Sequence, residues 1–188
     1  IRGRHQNFMV FSDATQFFWQ GISPYTTEFV EAHGRYFLYS PVFTVLFAPF
    51  AYLPAWLGPF AWNLFNYSLF FMAIFTLPQQ FTQQQKCRMF LFLLLILGQS
   101  LLSFQYNITV AYLFLFAYTL LEKDRGFLAV LLIMISGCTK VYGIFELALL
   151  LCYPHVWRNF GYAVTMGIVL LALPLIKIAP ADLLPYYE

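Results

Sequence analysis

From Pro41 to Pro180 the chain is a series of apolar runs, and its Asp, Glu, Lys and Arg residues are confined to Lys86, Arg88, the turn 122–125, Lys140, Glu146, Arg158 and Lys177. A folded surface must suit its solvent, and soluble domains give about a quarter of their residues to charge. Here 10% are charged and 61% hydrophobic, with a mean hydropathy of +0.70, so lipid is the solvent for much of this surface. Only structures that satisfy their own backbone cross a bilayer, and runs of this length predict helices. The expected fold is all-α, a polytopic transmembrane bundle. The aromatic content, Phe 23, Tyr 13 and Trp 4, suits headgroup-level belts. A net charge of +2 carries no footprint for nucleic acid. Cys87, Cys138 and Cys152 lack metal spacing and read as small buried hydrophobes. No Walker loop, His/Cys cluster or Gly-x-Ser-x-Gly elbow supports nucleotide, zinc or serine chemistry, so neither cofactor nor metal is expected.

Residues 1–40 differ from the rest. Arg2, Arg4, His5, Asp13, Glu28, Glu31, His33 and Arg35 alternate there with aromatics, which reads as a polar extramembrane loop. Ser23-Pro24-Tyr25 and His33-Gly34 mark turns, and Phe11 to Trp19 reads as a short interfacial helix. Residues 41–180 form the bundle, with helices expected at 41–53, 56–77, 88–102, 106–121, 126–138, 141–153 and 160–178. Residues 181–188 begin a further loop. The start at Ile1 without an initiator Met, and the end in a loop, lead us to expect more chain at both ends.

Several of these helices fall short of the roughly 20 residues that cross the hydrocarbon core. The pairs 88–102 with 106–121, and 126–138 with 141–153, read as broken helices meeting at polar apices. The first apex holds Gly98-Gln99-Ser100 and Gln105-Tyr106-Asn107, the second Ser136-Gly137-Cys138-Thr139-Lys140. Irregular backbone at that depth needs protein or a wet cavity around it. The charged turn from Glu122 to Gly126 lies between them, so both apices share the opposite side. Orientation stays open. If every helix spans, the loops with Arg2, Arg4 and Arg35, Lys86 and Arg88, Lys123 and Arg125, and Arg158 share one face; if a short segment turns back, the N-terminal loop moves outside.

Lys140 is the sharpest signal, because an ammonium deep in an apolar stretch marks a function or an anionic partner. The competing reading is a stem that snorkels to the headgroups. Gln105 and Asn107 precede helix 106–121, whose free N–H groups favour a phosphate, although membrane amides also serve as interhelical glue. Glu146 lies six residues beyond Lys140, off its α-helical face, and reads as facing a wet cavity or as a second functional charge. Asp13, Glu28 and Glu31 are the loop carboxylates available as a base, or else solvated charges.

The runs Gly21-Ile22-Ser23-Pro24-Tyr25, Tyr39-Ser40-Pro41-Val42-Phe43, Pro49-Phe50-Ala51-Tyr52-Leu53-Pro54 and Trp62-Asn63-Leu64-Phe65-Asn66, in this order, resemble glycosyltransferase family 87. Gln105-Tyr106-Asn107 resembles its Gly-Gln-x-Asn apex, and Thr139-Lys140-Val141-Tyr142-Gly143 its Lys-x-Tyr-Pro apex. The resemblance implies a GT-C-type, multi-pass enzyme of a bacterial plasma membrane. It would transfer a hexose, mannose above all, from a polyprenyl-phosphate sugar to a glycan or glycolipid acceptor on the extracytoplasmic side, with inversion. Lys140, Gln105 and Asn107 would then hold the donor phosphate, and Asn7, Tyr25, Arg35 and Tyr39 would belong to the substrate loop. Three positions depart from the family. Asn7 stands near its catalytic aspartate, so Asp13 is the expected base, with Glu28 and Glu31 as alternatives. Phe104 replaces the glycine before Gln105, and Gly143 replaces the proline after Tyr142. Asn7 also keeps open a non-catalytic lipid-phosphate-binding or transport protein on the same scaffold.

Overall fold

Each apolar run set off by a polar or Pro/Gly break forms a helix, and no strand occurs among residues 6–187, which the computed structural model describes. Arg2, Arg4 and His5 lie outside the described residues. The helices are α1 (Gln6–Gln20), α2 (Thr27–His33), α3 (Pro41–Ala51), α4 (Leu57–Phe75), α5 (Gln83–Leu102), α6 (Asn107–Leu121), α7 (Gly126–Thr139) and α8 (Val156–Ala172). A 3-10 helix, Val141–Cys152, joins α7 to α8. Local chemistry sets the ends. Thr82 and Gln85 form a reciprocal capping box at the start of α5, Pro41 opens α3, and Gly34, with φ 67°, ends α2 in the left-handed conformation.

The helices alternate between two ends of the bundle. At one end Ser103, after α5, meets Asn7 of α1, Lys140 meets Asn107, and Ser40 meets Thr139. At the other, Gln80 meets Tyr118, Tyr153 meets Glu122, and Arg158 lies 3.8 Å from Asp124. α3 does not run from end to end. Its 11 residues span about 16 Å; Ser40 starts it beside Thr139, and Ala51 O at its close accepts from Ser12 and Gln16 of α1.

Two helical stretches, Gln83–Leu102 and Val156–Ile176, are long and apolar enough to cross a membrane. Both present apolar side chains outward instead of burying them in the core; Leu95 is 83% exposed and Trp157 89%. Inside the bundle, Thr109 of α6 donates to Asn66 of α4, whose amide donates to Trp62 O. Lys86 of α5 is buried and donates to Phe75 O and Leu77 O, so its charge caps the end of α4.

Four expectations need correction. The N-terminal segment is not mainly loop: α1 runs well beyond Phe11 to Trp19, and Phe8, Phe11, Ala14 and Phe18 recur at helical spacing and bury one face in the bundle. Two helices begin earlier than expected, α5 at Gln83 and not at residue 88, and α8 at Val156 and not at residue 160. Of the cysteines only Cys138 is buried; Cys87 and Cys152 are exposed, each on an outward face. Finally, the 3-10 helix changes the position of Glu146. With three residues per turn, Gly143 and Glu146 stack on the side that faces α7, where Ser136 Oγ donates to Glu146 Oε1 at 3.0 Å.

That contact also accounts for Gly143. A Cβ there would lie 2.5 Å from Ser136 Oγ and 2.6 Å from Ser136 C, so no side chain fits. The Gly143 N–H donates to Lys140 O at 2.8 Å, a bond proline cannot make. Gly143→Pro, although it restores the family's residue, is expected to destabilise the fold by about 3 kcal/mol. Denaturation in mixed micelles measures this, and unchanged stability would contradict the close contact.

Candidate functional site

A strap from Gly34 to Tyr39 crosses the end of the bundle where the apices lie. Between it, α1 and the apices opens a cavity of about 550 Å³, lined by Asn7, Val10, Phe11, Gln105, Lys140 and the strap itself. Asn7, Val10 and Phe11 lie at i, i+3 and i+4, one face of α1. The lining brings together two cations, Arg35 and Lys140, two amides, Asn7 and Gln105, and two phenols, Tyr36 and Tyr39. No carboxylate is among the described lining residues. Such a surface favours an anion.

Lys140 follows the last residue of α7 in extended conformation, which turns its side chain back across the apex. Its Nζ donates to Asn107 Oδ1 at 2.8 Å and lies 3.4 Å from the Tyr39 hydroxyl oxygen. The Tyr39 and Tyr142 rings lie 5.1 and 4.7 Å from the ammonium, within cation–π range. Asn107 Oδ1 also accepts from Tyr142, and its Nδ2 donates to Gln105 Oε1 at 2.9 Å. Asn107 therefore sits behind the cavity wall, orienting Lys140 and Gln105, which face the cavity. Burial raises the Tyr39 phenol above its ordinary range, so it remains a hydroxyl at neutral pH.

Phe104 makes the first apex sharp. It adopts φ 55°, the left-handed region that glycine enters freely and a bulky residue enters under strain. A glycine would satisfy this turn, which is what the resemblance places there. The Phe104 ring is instead buried, edge-on to Phe8 at 6.2 Å, so packing offsets the strain. The turn lets Gln105 N reach Ser100 O at 2.8 Å and directs Gln105 into the cavity.

Asn7 is held as an amide. Its Nδ2 donates to Ser103 O at 2.7 Å and its Oδ1 accepts from Arg35 at 3.2 Å. Of the carboxylates expected to supply a base, none lines the cavity. Asp13 follows Asn7 by six residues, about 240° around α1, and its Oδ2 lies 2.8 Å from His33 Nε2. Glu28 and Glu31 are exposed on α2. Tyr25 also stands outside the lining and supports it, donating to Tyr39 O at 2.7 Å. Sequence reasoning missed the strap as a unit; the His33-Gly34 turn was the one signal for it, since glycine after a helix redirects the chain.

A second cavity, about 250 Å³ and mostly apolar, lies among α3, α4 and α6, with Phe43, Trp62 and Tyr106 in its wall. One layer of rings separates the two, Tyr39 standing 4.8 Å from Phe43 and 5.8 Å from Tyr106. No curated protein and no solved structure matches the chain. The sequence pattern of glycosyltransferase family 87 does match, over residues 37–188, a stretch that includes the end of the strap, both apices and every helix from α3 onward. The chain thus belongs to glycosyltransferase family 87.

Proposed function

We propose that the protein is a polytopic GT-C-type transferase that moves a hexose, mannose being the sugar the resemblance favours, from a polyprenyl-phosphate donor to a glycan or glycolipid acceptor. The observation that carries this reading is the convergence of Lys140, Gln105 and Arg35 on a cavity whose described lining has no carboxylate. A lipid phosphate needs its head at a cationic, amide-lined site and its tail in an apolar one, and the apolar cavity lies one ring layer away. In the transfer an acceptor hydroxyl oxygen attacks the anomeric carbon and the bond to the phosphate oxygen breaks. The electron pair leaves on that oxygen, where Lys140, backed by Asn107, and the amide of Gln105 stabilise the developing charge. The hydroxyl proton ends on the released phosphate, because the described lining holds no carboxylate to keep it.

The bundle supports an orientation as well. Arg88, Lys123, Arg125 and Arg158 belong to the end away from the cavity, and basic loops stay cytoplasmic. Because α3 leaves and returns on the cavity side, the segment before it need not share their face. This reading places the cavity, with residues 1–40, on the extracytoplasmic side of a plasma membrane, and residues 41–180 within it.

Asn7 favours a second reading, binding of a lipid phosphate without transfer, because its amide is committed to Ser103 and Arg35 and takes no proton. Membranes from cells making the full-length protein, supplied with radiolabelled polyprenyl-phosphate sugar, separate the two. Transfer that falls about a hundredfold in Lys140→Ala supports the first reading. Equal transfer by Lys140→Ala contradicts the phosphate role, and donor binding with no transfer supports the second. Asn7→Asp would set a carboxylate oxygen against Ser103 O, so we expect it to loosen α1 without raising transfer; increased transfer would show that the amide alone blocks the chemistry.

A further inference from the structure

Asp13 and His33 are the one close acid–imidazole pair among the described residues, and neither lines the cavity. His33 is the last residue of α2, stacked on Phe29 with ring centroids 4.2 Å apart and edge-on to Phe17 of α1 at 6.3 Å. Its Nδ1 lies 2.8 Å from Phe29 O, an atom that only accepts, so this nitrogen carries a proton. Its Nε2 faces Asp13 Oδ2, also at 2.8 Å. A ring that donates from both nitrogens satisfies both oxygens and makes the second bond charge-assisted.

The next residue, Gly34, turns the chain in the left-handed conformation straight into the strap. From there Arg35 bonds Asn7, and the far end is fixed where Tyr25 holds Tyr39 O and Ser40 bonds Cys138 O. The strap is thus tied to α1 at its start and to the second apex at its end. We propose that Asp13 and His33 form the latch that positions this strap, so that Asp13 is a positioning residue for the cavity and not the base of the reaction. The consequence for anion binding rests on the reading above, because the strap carries Arg35 and Tyr39 to the proposed phosphate site.

Two measurements on the full-length protein in nanodiscs test this: hydrogen exchange of the strap amides, and affinity for citronellyl phosphate, a short lipid phosphate. Asp13→Ala and His33→Ala should each speed strap exchange and weaken the probe about tenfold, and the double variant should lose no more than either single one. Asp13→Asn should stay within about threefold of the wild type, because an amide donates to the neutral ring while Nδ1 still donates to Phe29 O. Unchanged strap exchange in Asp13→Ala, or additive losses, would overturn the latch. So would an Asp13→Asn protein with native strap exchange whose sugar transfer is lost, since that is the behaviour of a base. Should Asp13→Ala fail to fold, His33→Gln against Asp13→Asn decides by the same exchange criterion. Absence of probe binding to the wild type would sink the functional reading, while strap exchange would still decide the latch.

Discussion

The ammonium of Lys140 organises this end of the molecule. A cation in an apolar bundle is costly unless polar groups replace its water. Here the replacement comes from three separate segments: Asn107 at the start of α6, Tyr39 on the strap, and Tyr142 on the 3-10 helix. Each is neutral, so the charge is solvated without being cancelled. A buried carboxylate at this spot would have closed an ion pair and removed any reason for an anion to bind. The one nearby acid in the bundle, Glu146, is turned toward Ser136 instead.

The surroundings make that arrangement rigid. Gly143 lets the 3-10 helix press on Ser136, and Ser136 O accepts from Lys140 N, so the packing of two helical segments sets the direction of the lysine. On the other wall a cluster of rings, Phe8, Phe11, Phe43, Phe47, Trp62 and Tyr106, joins α1, α3 and α4 to the first apex. Rings packed edge to face hold position better than flexible aliphatics. The cavity is therefore bounded by fixed elements on three sides and by the tethered strap on the fourth.

Much of this was legible in the residues. The helices of the bundle followed their Pro, Gly and charged breaks to within a few residues, except at α5 and α8, whose polar first turns hid their starts. The joining of two apices around Lys140 followed from the charged turn between them. What escaped depended on three-dimensional choices. A 3-10 helix and an α-helix share the same apolar run, so the side on which Glu146 falls could not be read. α1 reads as polar because its buried face is made of phenylalanines spaced among amides and hydroxyls. Asp13 stood close to Asn7 in number, yet a helix separates residues six apart onto different faces, and only the partner, His33, shows where that face points.

The central claim is that the cavity beside Lys140 holds the phosphate of a membrane lipid. Native mass spectrometry of the full-length protein, released directly from membranes, tests it without assuming a sugar or an acceptor. The account predicts a bound polyprenyl phosphate or its glycosylated form on the wild type and its loss from Lys140→Ala; a lipid-free wild type, or equal occupancy in both proteins, would contradict it.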